Sequence, residues 1–149
     1  MRIDIQARKI EIVNLEEIPD INQNMRHINI EINYTTSRAD FYKPSSLKSR
    51  HKISIIYYDE EDRKKEIGTI DLTVIVLITD ENKEKLQEIF DIWNEKGYNE
   101  IPLEIRVSIE NAISTIWPVV SIAAEKAVLP PPMQPLAFSP RPTVENLQK

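Results

Sequence analysis

From Arg2 to Val13 the apolar residues fall on Ile3, Ile5 and Ala7, then on Ile10 and Ile12, so the alternation changes phase at Arg8 and Lys9. A strand with one buried face and a β-bulge produces that pattern. Leu15 to Asn24 carries Pro19, Asp20 and several amide side chains, and reads as a loop. Ile28, Ile30 and Ile32 then alternate with Asn29, Glu31 and Asn33, which predicts a second strand with three β-branched side chains on one face. Ser37 to Ser49, with Pro44 and a serine pair, reads as a connection. A third strand over roughly His51 to Tyr58 and a fourth from Glu66 to Ile78 flank the charged turn Asp59 to Lys65. Four strands joined by short turns predict an antiparallel meander or Greek key.

At Thr79 or Asp80 the period becomes helical, with a capping side chain at hand and Leu86, Ile89, Phe90 and Trp93 at helical spacing. Gly97 is placed to end this helix in the left-handed conformation, and Pro102 suits the first turn of another. The second helix carries Ile105, Ile109, Ala112, Ile113, Ile116, Val120, Ala123 and Ala127 along one broad stripe. Pro118 lies inside it and predicts a kink, because the apolar spacing continues in phase on both sides. Pro130, Pro131 and Pro132 end the helix, and later prolines keep the tail extended. Strands first and helices last predict an α+β domain, a four-stranded antiparallel sheet with helices packed on one face. The domain is placed at residues 1–138 and an extended C-terminal tail at 139–149.

At 149 residues and 41% hydrophobic content the chain can bury one core, and a net charge of -5 works against a continuous phosphate-binding surface. Nucleic acid is therefore not an expected partner. No cysteine is present, which excludes disulfides and thiolate chemistry. Charges break every apolar run near the N-terminus, and no stretch approaches a membrane span, so a cytoplasmic protein without membrane insertion is expected.

The residues offer no catalytic or metal site. His27 and His51 each stand at a strand start beside a basic residue, with neither a carboxylate nor a second histidine at ligand spacing, and read as surface or strand-end residues. Two glycines allow no phosphate loop. The acidic residues near Glu16 and Asp59 read as solvated loop and turn, and Ser45, Ser46 and Ser49 fall in a loop without a base in view. No cofactor, metal or enzymatic activity is expected.

Several segments, taken in order, resemble the SecB family of protein-export chaperones. Trp117-Pro118 inside the long helix, the proline run after it and Pro135-Leu136-Ala137-Phe138 match the family's aromatic-proline pair, following proline and Pro-x-Asn-Phe segment. In the N-terminal half, Glu17-Ile18-Pro19 resembles the family's acidic-proline crossover loop, and Ile28 to Asn33 its alternating second strand. Ala137 replaces the usual Asn, and the helix over Asn82 to Lys96 stands where many members have a shorter connection.

The resemblance implies a chaperone that binds unfolded preproteins or other non-native polypeptides in an apolar groove, keeps them export-competent without ATP, and assembles as a dimer or dimer of dimers. The residues with the right character for client binding are Leu15, Ile18 and Ile21 in the crossover loop, Ile28, Ile30 and Ile32 on the second strand, and Leu136 with Phe138 after the helix. Members that dock on the SecA motor commonly end in an acidic tail, whereas Ser139 to Lys149 carries Arg141, Glu145 and Lys149, which leaves a SecA-type partner open. A chaperone dedicated to one partner such as an antitoxin, or a structural or regulatory oligomerisation module, fits the same apolar stripe.

Overall fold

The computed structural model describes residues 1–15, 27–61 and 65–133. Five strands are present: β1 (Arg2–Asn14), β2 (Ile28–Thr36), β3 (Asp40–Lys43), β4 (Ser46–Asp59) and β5 (Glu66–Thr79). Three helices follow, α1 (Lys83–Lys96), α2 (Leu103–Ser114) and α3 (Trp117–Lys126), with a short 3-10 turn at Tyr98–Glu100 between the first two. The sheet is antiparallel in the order β1-β5-β4-β2, and β3 pairs with the first residues of β4. The fold is α+β, as expected, with β3 and the start of β4 formed inside the segment 37–49 that reads as a connection.

The alternation of β1 is realised with its irregularity in place. Ala7 pairs with Val74 and Lys9 with Thr73, so Arg8 is the extra residue that shifts the phase. Cross-strand neighbours share a face, and the rows Ile5–Val76–Ser49, Ile10–Leu72–Ile53–Tyr34 and Ile12–Ile70–Ile55–Ile32 all lie on the side covered by helices. There Leu47, Ile53, Ile55, Ile70, Leu72, Val74 and Val76 are almost wholly buried. At about 1.5–3 kcal/mol for each large apolar side chain removed from water, this layer is the main source of stability. The other face alternates Lys48, Arg50, Lys52 and Ser54 with these positions and meets solvent.

The helices begin and end where local chemistry dictates. Asn82 caps α1, its side chain accepting from the Lys85 amide at 3.2 Å, two to three residues beyond the expected start. Gly97 ends it at φ 104° and ψ 164°, a glycine conformation that is extended rather than left-handed helical. Pro102 is the residue before α2 rather than within its first turn.

Between Ser114 and Trp117 the chain keeps right-handed helical dihedrals at Thr115 and Ile116 while the bonds tighten, Thr115 N donating to Ala112 O and Ile116 N to Ile113 O. Pro118 thus marks a kink between two segments packed on one surface, as the in-phase spacing predicts. Ile105, Ile109, Ile113, Trp117, Val120 and Ala124 form the buried stripe through it. The helical run Leu103–Lys126 is 24 residues long and apolar enough to cross a membrane by length and composition. In this fold its apolar stripe is the lid of the sheet.

Candidate polypeptide-binding site

The strand positions at one end of the sheet and the chain leaving α3 build one surface. Asn14, Gly68, Tyr57 and Ile30 stand side by side on β1, β5, β4 and β2, forming a single row on the helix-covered face. The chain after α3 follows this row. Asn14 Nδ2 donates to Ala127 O at 2.8 Å, Leu129 lies over Gly68, and Tyr57 Oη donates to Pro130 O at 2.7 Å. Gly68 is required there, because a Cβ would come within 2.5 Å of Val13 O and 3.3 Å of the Leu129 side chain. Trp117 Nε1 then donates to Pro132 O at 3.1 Å. Burial pushes the Tyr57 phenol up to about 12, so its hydroxyl remains a donor at neutral pH.

The turn that launches this arm is strained. Val128 N bonds to Glu125 O and Leu129 N to Ala124 O, the paired bonds of a Schellman motif, with Val128 at φ 59° where glycine is usual. Anchored by Tyr57 and Trp117, the arm runs from β1 across β5 to β4, and Met133, the last described residue, is almost fully exposed.

At the far end of the row is the edge strand. Among the described residues β2 pairs with no strand on its outer side. Ile28, Ile30 and Ile32 face the helix side opposite Asp59, Tyr57 and Ile55. Ile28 and Ile32 pack partly into the core, while Ile30 is 37% exposed. These three therefore offer an apolar rim along the edge strand of the described sheet, beside Tyr57 and the proline arm. Leu15 is exposed too, but it leaves β1 at the opposite edge, about 14 Å away at three strand spacings. Ile18, Ile21, Leu136 and Phe138 lie outside the described residues.

His51 corrects the reading of the histidines. It is completely buried, with Ser49 Oγ 2.7 Å from Nε2 and the Tyr34 hydroxyl on Nδ1. Tyr34 stacks on the ring, and Trp93 and Tyr98 meet it edge-on. A neutral imidazole fills both contacts as one donor and one acceptor. Burial lowers its pKa to about 3, and burial likewise holds the Tyr34 phenol protonated. The phase was legible, since His51 falls in step with Ile53, Ile55 and Tyr57. Ser49 and His51 have the separation of a nucleophile and its base, yet both are closed to solvent and the ring is a poor proton acceptor. His27, by contrast, is exposed and lies 3.3 Å from Glu60. No group of three or more metal-ligating side chains occurs among the described residues.

No protein-family model matches the sequence, and no curated protein sequence matches it significantly. Among solved structures, the chain superimposes on the Mycobacterium tuberculosis SecB-like chaperone Rv1957, solved in complex with a ChAD peptide from the HigA1 antitoxin Rv1956, with a TM-score of 0.62. The match covers 93% of this chain and 91% of that one at 13% identity. The fold is SecB-like. In this SecB-like fold the kinked helix and the proline arm are the features that the motifs Trp117-Pro118 and Pro130 to Pro132 marked in the sequence.

Proposed function

We propose that this protein is a chaperone that holds non-native polypeptides along the β2 edge, keeping them unfolded without nucleotide hydrolysis. The observation that carries the reading is a SecB-like fold in which β2, an edge strand among the described residues, presents a partly exposed isoleucine, Ile30. An extended client adds its backbone to that edge and lays alternate apolar side chains on Ile28, Ile30 and Ile32. The gain is roughly 25 cal/mol per Å² of apolar surface covered, less the cost of ordering the client, so several moderate contacts give affinity with little sequence preference. No catalytic group is needed. In this reading the protein works in the cytoplasm, with export precursors among its clients.

Self-assembly belongs to the same proposal. Leu103, Val107, Val119 and Ile122 are 65%, 42%, 48% and 57% exposed and form the outward stripe of the kinked helix. A second copy covering that stripe removes an apolar surface that a lone protomer leaves in water.

The test is suppression of aggregation for several unrelated unfolded proteins, with Ile30→Glu as the probe. Ile30 tolerates the charge in the free protein because it is partly exposed, whereas a seated client buries it. The variant is expected to keep its circular dichroism and assembly size and to bind unfolded clients at least about tenfold more weakly. Unchanged binding by a correctly folded variant places the site elsewhere. A second reading, a chaperone dedicated to one partner, is favoured by the antitoxin peptide in the Rv1957 complex. It predicts tight binding to one protein and no protection of the others.

A further inference from the structure

The solvent face of the sheet holds a cleft that client binding does not use. β2 leaves β4 at Thr36 and β3 joins it at Asp40, and between the two a cavity of about 480 Å³ opens. Lys48, Arg50 and Lys52 line it from alternate positions of β4, all on the face turned away from the helices. Thr35 and Thr36 line it from β2, and Ile75, nearly buried, contributes from β5. The wall between β2 and β3 is fixed from behind by α1. Asn94 exchanges two hydrogen bonds with the Ala39 backbone, at 3.0 and 2.9 Å, and Trp93 Nε1 donates to Ser37 O at 3.1 Å.

The charge in this cleft is unspent. Three cations face one lining carboxylate, Asp40, in a protein whose net charge is -5. None of the three forms an ion pair among the described residues. Glu11, on the same face, is taken up by Lys9 at 2.6 Å, with Lys52 adding only to the field that lowers its pKa. The Lys48 ammonium lies 5.9 Å from the centre of the exposed Tyr42 ring.

The spacing selects the occupant. Side chains at alternate strand positions stand about 7 Å apart, so the three cations extend over roughly 14 Å. A lone phosphate is held by donors that converge on one point, whereas an extended chain with acidic residues at every second position repeats the same 7 Å interval. We propose that this cleft docks an extended acidic segment of a partner protein, its alternate carboxylates paired with Lys48, Arg50 and Lys52.

The experiment uses the full chain and fluorescence anisotropy with a labelled twelve-residue peptide of alternating Glu and Thr. Two control peptides replace Glu by Gln and by Lys. The acidic peptide is expected to bind, to weaken as salt rises, and to lose at least about tenfold in affinity in the Lys48→Gln/Arg50→Gln/Lys52→Gln variant, whose exposed positions leave the core untouched. Ile30→Glu, on the opposite face, is expected to leave this binding unchanged, so failure here and failure of the client-binding reading are separable. Equal binding of the Gln or Lys peptide, or full affinity in the triple variant, overturns the proposal. Displacement by inorganic phosphate at the same concentration as unlabelled acidic peptide also overturns it, by making the cleft a small-anion site.

Discussion

Acid should destabilise this protein through His51 in particular. The ring is fully buried and its pKa falls to about 3, while the unfolded chain returns it to the ordinary value of 6.5. Because the folded value lies below the unfolded one, the unfolded state binds the proton first. The neutral ring's contribution is therefore complete above about pH 6.5 and is lost progressively down to about pH 3. At pH 5 the gap of 1.5 units between the unfolded pKa and the solution costs about 2 kcal/mol, and the limit near pH 3 is on the order of 4–5 kcal/mol. Against a total stability of roughly 5–15 kcal/mol, that is a large share.

His51→Gln removes the titration and keeps a side chain that can donate and accept. Urea unfolding followed by circular dichroism, on both proteins between pH 7.5 and 5, isolates the effect. The stability advantage of the natural protein should shrink by about 2 kcal/mol over that interval. Glu110, whose pKa burial raises, acts with the opposite sign, since its folded form takes up a proton more readily. It is present in both proteins and cancels in the difference. A difference that stays constant with pH would falsify the assignment of a neutral, buried ring.

Three further outcomes follow from particular residues. Val128→Gly relieves a left-handed conformation costing about 1–2 kcal/mol in a non-glycine residue, offset by the greater chain entropy of glycine, for a net gain of roughly 0.5–1 kcal/mol. Thermal melting should show a rise of about 1–4 °C, and a fall would mean that the partly exposed valine packs usefully on the arm. Light scattering at micromolar concentration should give a mass above one protomer, and Ile122→Glu should lower it; a monomer in the unsubstituted protein counts against the assembly proposal. Finally, clients bound along β2 should protect its amides from hydrogen exchange while leaving β1 unprotected, and the reverse pattern would move the site to the other edge.

Much of this architecture was written locally. The phase change at Arg8 and Lys9 is a one-residue event, so it appears in the sequence and again as the shifted pairing of Ala7 and Lys9. The stripe from Ile105 to Ala124 is a property of helical spacing, and Pro118 adds only the kink that its missing N–H requires. The resemblance carried by Trp117-Pro118 and the proline run likewise depends on order along the chain. Ile30 could be named from alternation as a residue sharing a face with Ile28 and Ile32.

What alternation cannot state is which strand lies beside which. The order β1-β5-β4-β2 makes β2 an edge, gives Ile30 its exposure, and puts Leu15 at the opposite side of the sheet. β3 is a four-residue strand in a segment with no regular period, formed because β4 begins early enough to pair with it. Asn82 became the cap rather than Thr79 or Asp80 because β5 continues through Thr79, holding its end in the sheet. His51 carried a legible phase but not its partners, since Tyr34 and Trp93 reach it only after β2 and α1 have packed. The sequence by itself determined the four long strands, the helical regions and the faces of each, because those follow from periods of two and three to four residues. The tertiary structure alone decided the edges, the buried polar cluster and the cationic cleft, because each is made by segments distant in the chain that meet only when the sheet closes under its helices.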